Sequence, residues 1–291
     1  MKTCIKCECE LENTWNCSKC GYEPVLRDGR LALSLEPDEG KNIGFESESF
    51  SKLIEVEENS FWFCARNELI DWAIKKYFPG IKSFFEVGCG TGFVLSGINS
   101  NFPELDLYGS EALAEGLKFA SERVPKATFF QMDARNIPFK EEFEVIGAFD
   151  ILEHILEDKL VLEQMYKAVK PGGGLILTVP QHRFLWSKVD ELSYHCRRYG
   201  SQELKKKTES CGFKIVRMTS FVTFLLPIYF LSRLRFKAPE SKKYAMSEFN
   251  LNKYLNFLLE KVMNLELLFI KLGLPLPAGS SLLLIARKYV W

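Results

Sequence analysis

The chain has 291 residues, in which 38 lysines and arginines balance 38 aspartates and glutamates. This length is enough for one sizeable α/β domain with an appendage. A neutral chain has no broad positive field, which argues against non-specific nucleic-acid binding. The polar start of the chain is unlike a signal peptide, and the longest apolar run, residues 221–231, is too short to span a bilayer. We therefore expect a cytoplasmic protein.

Two cysteine pairs open the chain, Cys4 with Cys7 and Cys17 with Cys20. Each C-x2-C pair can present two thiolates to one ion, which predicts a zinc ribbon over residues 1–35. So few apolar residues cannot hold a fold without such a staple. Cys9 is an alternative to Cys7 as a ligand, although Cys7 has the better spacing. Residues 21–31 are expected to close the ribbon with a strand and a turn.

Residues 36–60 form the predicted linker, because the run 36–40 is acidic and contains glycine. A helical lead-in overlaps it over residues 46–80, and the main domain is expected to cover 61–291. The aromatic stretch 61–63 and the amphipathic stretch 69–77 have two interpretations. They form either a helix packed on the sheet or a cap that shields a ligand from water.

Strands and helices alternate from residue 83 onward, which predicts a parallel sheet. The predicted strands are 83–87, 105–109, 128–132, 145–149, 175–179, 213–218 and 282–287. The predicted helices lie near 93–101, 112–123, 158–170 and 201–211.

A glycine-rich turn follows the first of these strands, with the spacing E-x-G-x-G-x-G from Glu86 to Gly92. Such a turn lets the backbone approach a small cofactor at the carboxyl end of a parallel strand. A dinucleotide-binding fold places its third glycine one residue later, where this chain has Phe93. We therefore do not expect the cofactor to be NAD.

With this turn, the chain resembles the class I S-adenosylmethionine-dependent methyltransferases. Four further elements occur in the family's order, each near the end of a strand: Glu111, Asp133, the run 148–155 and the run 169–180. The resemblance covers about residues 60–220. It implies a Rossmann-like, seven-stranded α/β sheet flanked by helices. Where a minimal methyltransferase joins the last two strands by a short hairpin, this chain is predicted to carry a helical insertion at about 221–280. The N-terminal segment resembles small zinc ribbons fused to, or partnered with, some methyltransferases.

The same resemblance implies how S-adenosylmethionine would be held. The glycine turn and Glu86 would face the methionine tail, Glu111 the ribose hydroxyls, and Asp133 the adenine amino group. Taken alone, a glutamate such as Glu111 at a helix start is more often a favourable first-turn charge, and Asp133 could be a helix cap. The implied cofactor-binding residues are Glu86, Gly88, Cys89, Gly90, Gly92, Glu111, Ala112, Asp133, Ala134 and Asp150.

The acceptor side is expected after the fourth strand, in residues 180–199. The chain's three histidines, His154, His182 and His195, are candidates for a general base, or for loop-fixing hydrogen bonds. Two arginines of this region have a similar ambiguity: Arg197 and Arg198 could hold an anionic acceptor or pair with Asp190 or Glu191. A zinc site from His182, His195 and Cys196 is disfavoured, because adjacent residues chelate poorly.

The insertion at 221–280 is predicted to be a helical lid packed on the core or on a second subunit. The alternative is an apolar surface for a lipid-linked acceptor or the inner face of a membrane. The basic residues flanking it are compatible with anionic headgroups: Arg233, Arg235, Lys237, Lys242 and Lys243. The leading hypothesis is methyl transfer to a small-molecule, lipid-linked or glycan acceptor. The alternatives are RNA or protein methylation guided by the ribbon, and a non-catalytic cofactor-binding partner.

Overall fold

The computed structural model describes residues 1–12, 14–33, 47–235 and 251–289. The strands are β1 (Lys2–Thr3), β2 (Glu10–Leu11), β3 (Val25–Arg27), β4 (Arg30–Leu33), β5 (Ser83–Val87), β6 (Asp106–Glu111), β7 (Thr128–Met132), β8 (Phe143–Phe149), β9 (Val169–Pro180), β10 (Lys214–Phe221) and β11 (Ser281–Arg287). The helices are α1 (Ser47–Glu57), α2 (Phe61–Tyr77), α3 (Phe93–Asn101), α4 (Ala114–Arg123), α5 (Asp158–Ala168), α6 (Lys188–Leu192), α7 (Ser201–Ser210), α8 (Leu226–Arg235) and α9 (Lys253–Lys271).

Within the described residues, the main sheet has nine strands in the order β10-β11-β9-β8-β5-β6-β7-β4-β3. Strands β5 to β9 are parallel, and β11 runs antiparallel between β9 and β10. These strands with β10 and β11 are the seven predicted from the sequence. The predicted α/β architecture is therefore confirmed, and β3 and β4 extend it.

The added hairpin comes from the segment that was expected only to close the ribbon. The turn between β3 and β4 is Asp28-Gly29, and both residues have positive φ, 49° and 76°. This is the geometry that a two-residue hairpin loop favours. Strand β4 then pairs in parallel with β7, with Leu31 opposite Phe130. The N-terminal segment is thus joined to the main sheet.

Burial on both faces explains why the central strands are continuous apolar runs. Every residue of β5 is buried, and its alternating side chains enter two cores. Phe84 packs with α2, α3 and α9 in the first core, and Phe85 packs with α5 and α7 in the second. Helices therefore cover both faces of the sheet.

The ribbon segment also packs on this second core. The Trp15 ring lies edge-on to Phe130 and Phe139, with centroid distances of 6.0 and 5.5 Å. Ile5 belongs to the same cluster, and the Thr3 amide donates to the Pro138 carbonyl at 2.9 Å. Of the predicted linker, residues 36–46 lie outside the described residues, and 47–57 form helix α1.

Within its described residues, the predicted insertion contains two helices, α8 and α9. The buried side of α9, which includes Met263 and Leu267, packs with α2 in the first core. Glu266 of α9 accepts hydrogen bonds from the Thr223 and Phe224 amides, both at 2.7 Å. In the described part of the chain, no helix has both the length and the apolar character to cross a membrane. The side chains of Arg233 and Arg235, and Lys237, Lys242 and Lys243, lie outside the described residues.

Candidate functional site: a strand-end pocket and a cysteine cluster

The cysteine cluster near the N-terminus brings together the predicted metal ligands. The sulfur atoms of Cys4, Cys7, Cys17 and Cys20 all lie within 4.8 Å of one another. Four thiolates at this separation match a closed tetrahedral zinc site. The donor set therefore fits structural zinc.

The two halves of the cluster repeat the same backbone turn. The Glu8 amide donates to the Cys4 carbonyl, and the Gly21 amide donates to the Cys17 carbonyl, both at 2.8 Å. Glu8 and Gly21 both have positive φ, 57° and 69°. Each pair of ligands is thus held by an equivalent knuckle.

This repeat bears on the choice between Cys7 and Cys9. The Cys4 amide donates a hydrogen bond to the Cys9 carbonyl at 2.8 Å. In the second knuckle, the Cys17 amide donates to the Tyr22 carbonyl at the same distance. Cys9 therefore occupies the place of Tyr22, whereas Cys7 occupies the place of Cys20. The Cys9 sulfur still lies 3.4 Å from that of Cys7. The geometry favours Cys7 as the ligand, with Cys9 beside it.

The three glycines of the turn after β5 have different surroundings, although all have positive φ. A Cβ at Gly88 would collide with the Ile151 side chain, and one at Gly92 would lie 2.9 Å from the Ala120 Cα atom. A Cβ at Gly90 would meet only the Phe50 ring, at 3.8 Å. Gly88 and Gly92 thus allow protein packing, and only Gly90 adjoins open space.

Glu86 and Glu111 flank this turn from β5 and β6. Glu86 is 2% exposed, and its Oε2 atom has no hydrogen-bond partner among the described residues. Burial raises the pKa of Glu86 well above its usual range. Glu111 accepts hydrogen bonds from the amides of Gly90 at 3.1 Å and Ala112 at 2.8 Å. The cysteine of the turn, Cys89, is buried, and its amide donates to the Ser110 carbonyl.

Asp133 follows β7 and is bound by a near neighbour that the sequence reading did not include. The Arg135 guanidinium donates to Asp133 through Nε at 3.0 Å and Nη2 at 2.6 Å. The Arg135 amide also donates to Asp133, at 2.8 Å. Ala134, between them, is buried. Asp133 therefore has the backbone contact of a helix cap or turn and a charge partner.

Asp150 follows β8 in a left-handed conformation, with φ of 56°. Its Oδ2 atom accepts hydrogen bonds from Arg66 Nη1 at 2.8 Å and Thr178 Oγ1 at 2.9 Å. Arg66 comes from α2, where its guanidinium lies 4.7 Å from the Trp62 ring centroid. The aromatic start of α2 thus places a buried cation at this edge of the sheet, a function that its sequence pattern did not predict.

A second buried network fastens α1 to the glycine turn. Thr91 Oγ1 donates to Glu57 at 2.7 Å, and Arg123 Nη1 donates to Glu57 at 2.8 Å. Arg123 also donates to the Thr91 carbonyl at 3.2 Å. Sequence reasoning missed all three residues, because they come from α1, the turn and α4.

On the acceptor side, Asp190 organises the loop after β9. Its Oδ1 atom accepts hydrogen bonds from Arg198 Nε at 2.7 Å and pairs with His195 Nδ1 at 3.0 Å. Burial opposes ionisation, but these two partners lower the pKa of Asp190 to about 2. Arg198 therefore pairs with Asp190, one of its two predicted alternatives. Arg197 instead pairs with Asp158, at 2.5 Å.

The three candidate histidines do not form one group. The rings of His154 and His195 are perpendicular, with centroids 4.8 Å apart. His182 instead stacks on Phe184 at 5.0 Å, and burial lowers its pKa. Among the described residues, the weighed set of His182, His195 and Cys196 is not a ligand cluster; His154 and His195 converge with Glu153.

Comparison with known proteins finds a methyltransferase-domain match within this chain. Residues 84–173 match the model of a family described as a methyltransferase domain. A probable S-adenosylmethionine-dependent methyltransferase of Mycolicibacterium smegmatis is 21% identical over 165 residues, 54% of this chain and 61% of that protein. The biotin biosynthesis bifunctional protein BioHC of Teredinibacter turnerae is 26% identical over 157 residues, 48% of this chain and 28% of that protein. The chain thus spans less than two thirds of these relatives.

Solved structures share the fold at low identity. A complex of the Haloferax volcanii Trm112 methyltransferase activator and a putative methyltransferase matches with a TM-score of 0.56 and 12% identity, over 84% of this chain and 95% of that chain. A putative methyltransferase of Bacillus halodurans matches with a TM-score of 0.52 and 17% identity, over 77% and 99%. The family model over residues 84–173, the relatives and the shared fold together support a class I S-adenosylmethionine-dependent methyltransferase domain.

Proposed function

We propose that the protein transfers a methyl group from S-adenosylmethionine to a small-molecule, lipid-linked or glycan acceptor. The main support is the alignment of Glu86, Glu111, Asp133 and Asp150 at the carboxyl ends of β5, β6, β7 and β8. These four strands are neighbours in the sheet. Ligands of open α/β sheets bind at this edge.

The residues at this edge suit the parts of the cofactor. Gly90 leaves space for the methionine tail, and the unpartnered Glu86 Oε2 can accept a hydrogen bond from its amino group. Glu111 offers carboxylate oxygens to the ribose hydroxyls, and Asp133 offers one to the adenine amino group. When bound, S-adenosylmethionine supplies a methyl already activated by the sulfonium. The protein's remaining tasks are to align the acceptor and to take up its proton.

His182 has the features of a proton acceptor on this side. Its Nε2 atom has no hydrogen-bond partner among the described residues. Burial and the charge of Arg198 lower the pKa of His182, which keeps the ring neutral near pH 7. Both features support it as the general base for a hydroxyl or amine acceptor.

Contacts from the insertion favour an apolar or lipid-linked acceptor. Tyr229 of α8 accepts a hydrogen bond from Arg198 Nη2 at 2.9 Å, and Phe230 meets Phe184 edge-on at 6.2 Å. Helix α8 therefore borders the acceptor loop, and it exposes Ile228 and Leu231. RNA or protein recognition by the ribbon has less support, because β4 is paired on both sides, with β3 and β7, and the charges of the chain balance.

Labelled cofactor and fractionated cell extract test the proposal. We expect S-adenosylhomocysteine to bind the wild type and label to enter the lipid or small-molecule fraction. His182→Ala should retain binding but lose turnover, whereas Asp133→Ala should weaken binding at least about tenfold, or about 1.4 kcal/mol. Label in RNA or protein would support the second hypothesis. Binding with no labelled product in any fraction would support the non-catalytic one, and a folded protein that ignores S-adenosylhomocysteine would refute all three.

A further inference from the structure

A second cluster of metal-ligand side chains lies apart from the cysteines. Glu153, His154 and His195 each offer one ligand atom, and these atoms lie within 4.8 Å of one another. Glu153 and His154 are adjacent, a spacing that usually chelates poorly, but they lie on the 3₁₀ turn after β8, where their ligand atoms come together. His195 comes from the loop after β9. The Cys196 amide donates to the Glu153 carbonyl at 2.6 Å, which joins the two segments. We propose that this cluster binds a divalent transition-metal ion.

The donor set indicates the kind of ion. One carboxylate and two imidazoles suit Zn²⁺, Fe²⁺ or Co²⁺, whereas thiolates hold the ribbon's ion. Three protein ligands also leave at least one coordination position open, as in catalytic rather than structural zinc sites. The two clusters therefore differ in their ligand atoms and in whether a coordination position is left open.

Glu153 provides an independent reason for a cation. It is 1% exposed, and its Oε2 atom has no hydrogen-bond partner among the described residues. A buried carboxylate needs a compensating charge or donors. Two cations whose charges act on Glu153 are paired with other carboxylates, since Arg66 binds Asp150 and Arg198 binds Asp190. An ion at the cluster supplies the missing partner.

His195 is oriented in the manner of a metal ligand. Its Nδ1 atom lies 3.0 Å from Asp190 Oδ1, so its Nε2 atom is the one left for an ion. Metal-binding histidines commonly bond a carboxylate through the other ring nitrogen, which fixes the ring and its tautomer. Asp190 is itself fixed by Arg198 and by the Ser187 amide, which donates to it at 2.8 Å. The hydrogen bonds that would orient His195 toward an ion are thus already formed.

The position of the cluster suggests what the ion does. Glu153 and His154 follow Asp150 closely in the chain, at the edge of the sheet where the cofactor is proposed to bind. This role rests on the proposed methyl transfer: the open coordination position of the ion would hold an oxygen atom of the acceptor. The acceptors favoured are those with a hydroxyl, carboxylate or phosphate beside the methylated atom. His182, outside the cluster, stays available to take the proton.

Cobalt binding tests the site without any turnover. The full chain with zinc in its ribbon is dialysed against Co²⁺, and bound metals are counted. We expect one Co²⁺ per chain with no thiolate-to-cobalt charge-transfer band, because the ligands are nitrogen and oxygen. Glu153→Gln and His195→Ala should each weaken Co²⁺ binding at least about tenfold. The matched control, His182→Ala, should bind Co²⁺ like the wild type.

Binding of S-adenosylhomocysteine by each variant checks that the fold is intact. The inference is overturned if the zinc-loaded wild type takes up no Co²⁺, or if neither Glu153→Gln nor His195→Ala weakens uptake. A thiolate charge-transfer band would place the cobalt at the cysteines and overturn it equally. A wild type that binds S-adenosylhomocysteine and methylates an acceptor without Co²⁺ uptake would reject this site alone, leaving the proposed function standing.

Discussion

Replacing Gly92 with alanine should destabilise the fold through a specific collision. Gly92 has φ of 76°, and a Cβ there would lie 2.9 Å from the Ala120 Cα atom and 3.0 Å from its Cβ. The left-handed conformation costs an alanine about 1–2 kcal/mol. Displacing the backbone of α4 adds about 1–3 kcal/mol. The sum, about 2–5 kcal/mol, corresponds to a fall in Tm of about 4–20 °C for a chain of this size.

Gly90→Ala is the matched control, with the same substitution two residues earlier. Its φ is also positive, 51°, but the nearest atom to a new Cβ is on the Phe50 ring, at 3.8 Å. Its stability cost should therefore be limited to the conformational term, about 1–2 kcal/mol. The methyl group would instead occupy the space assigned to the methionine tail. We expect the affinity for S-adenosylhomocysteine to fall about tenfold or more, at least about 1.4 kcal/mol.

Chemical denaturation gives the unfolding free energies, and calorimetric titration gives the affinities. Gly92→Ala should have the lower free energy of unfolding. Gly90→Ala should lose more free energy of S-adenosylhomocysteine binding relative to the free energy of unfolding that it loses. If Gly90→Ala binds S-adenosylhomocysteine like the wild type, the tail does not pass over Gly90. If Gly92→Ala melts at the wild-type temperature, the contact with Ala120 does not limit the packing of α4.

Three further changes test what stabilises the fold. Zinc can be removed with a chelator or through Cys4→Ser with Cys17→Ser. Either change should lower the Tm of the whole chain by about 5 °C or more, because the ribbon packs on the main sheet. An unchanged Tm would contradict this. Arg66→Met leaves Asp150 without its buried partner, and denaturant titration should show a loss of about 3 kcal/mol. Asp71 has a pKa raised to about 6, chiefly by burial, from 3.8. Because the unfolded carboxyl ionises more readily, Asp71→Asn should stabilise the fold by up to about 3 kcal/mol above about pH 6, and not near pH 4. Equal effects at both pH values would rule out this account.

Local sequence patterns were sufficient to predict most of the parallel sheet. Strands β5 and β7 have the predicted bounds, because a short apolar run between turn signals has few alternatives to a buried strand. The strand-end acids could be placed for the same reason, since a residue after a parallel strand has its location set by the strand. Such predictions need only a few consecutive residues.

The partners of those acids could not be predicted, because they depend on tertiary contacts. Arg66 precedes Asp150 by 84 residues, and Glu57 precedes Arg123 by 66. No local pattern states that two such residues meet. One signal was present: Arg66 is a charge within an otherwise aromatic helix start, and a buried position for it requires a partner. Helix α1, inside the predicted linker, supplied Glu57 without any comparable signal.

The strand pairing of the ribbon gives its metal a structural connection to the cofactor edge. Strand β4 lies beside β7, with Leu33 opposite Met132, and Asp133 is the next residue. Without β4, strand β7 would be the edge of the sheet, and edge strands are the least well held. The cysteine cluster precedes β3 and β4 in the same segment, and Trp15 seals that segment against Phe130 of β7. An ion held by the cysteines would therefore support, through packing, the strand that presents Asp133, the residue proposed to bind the adenine amino group.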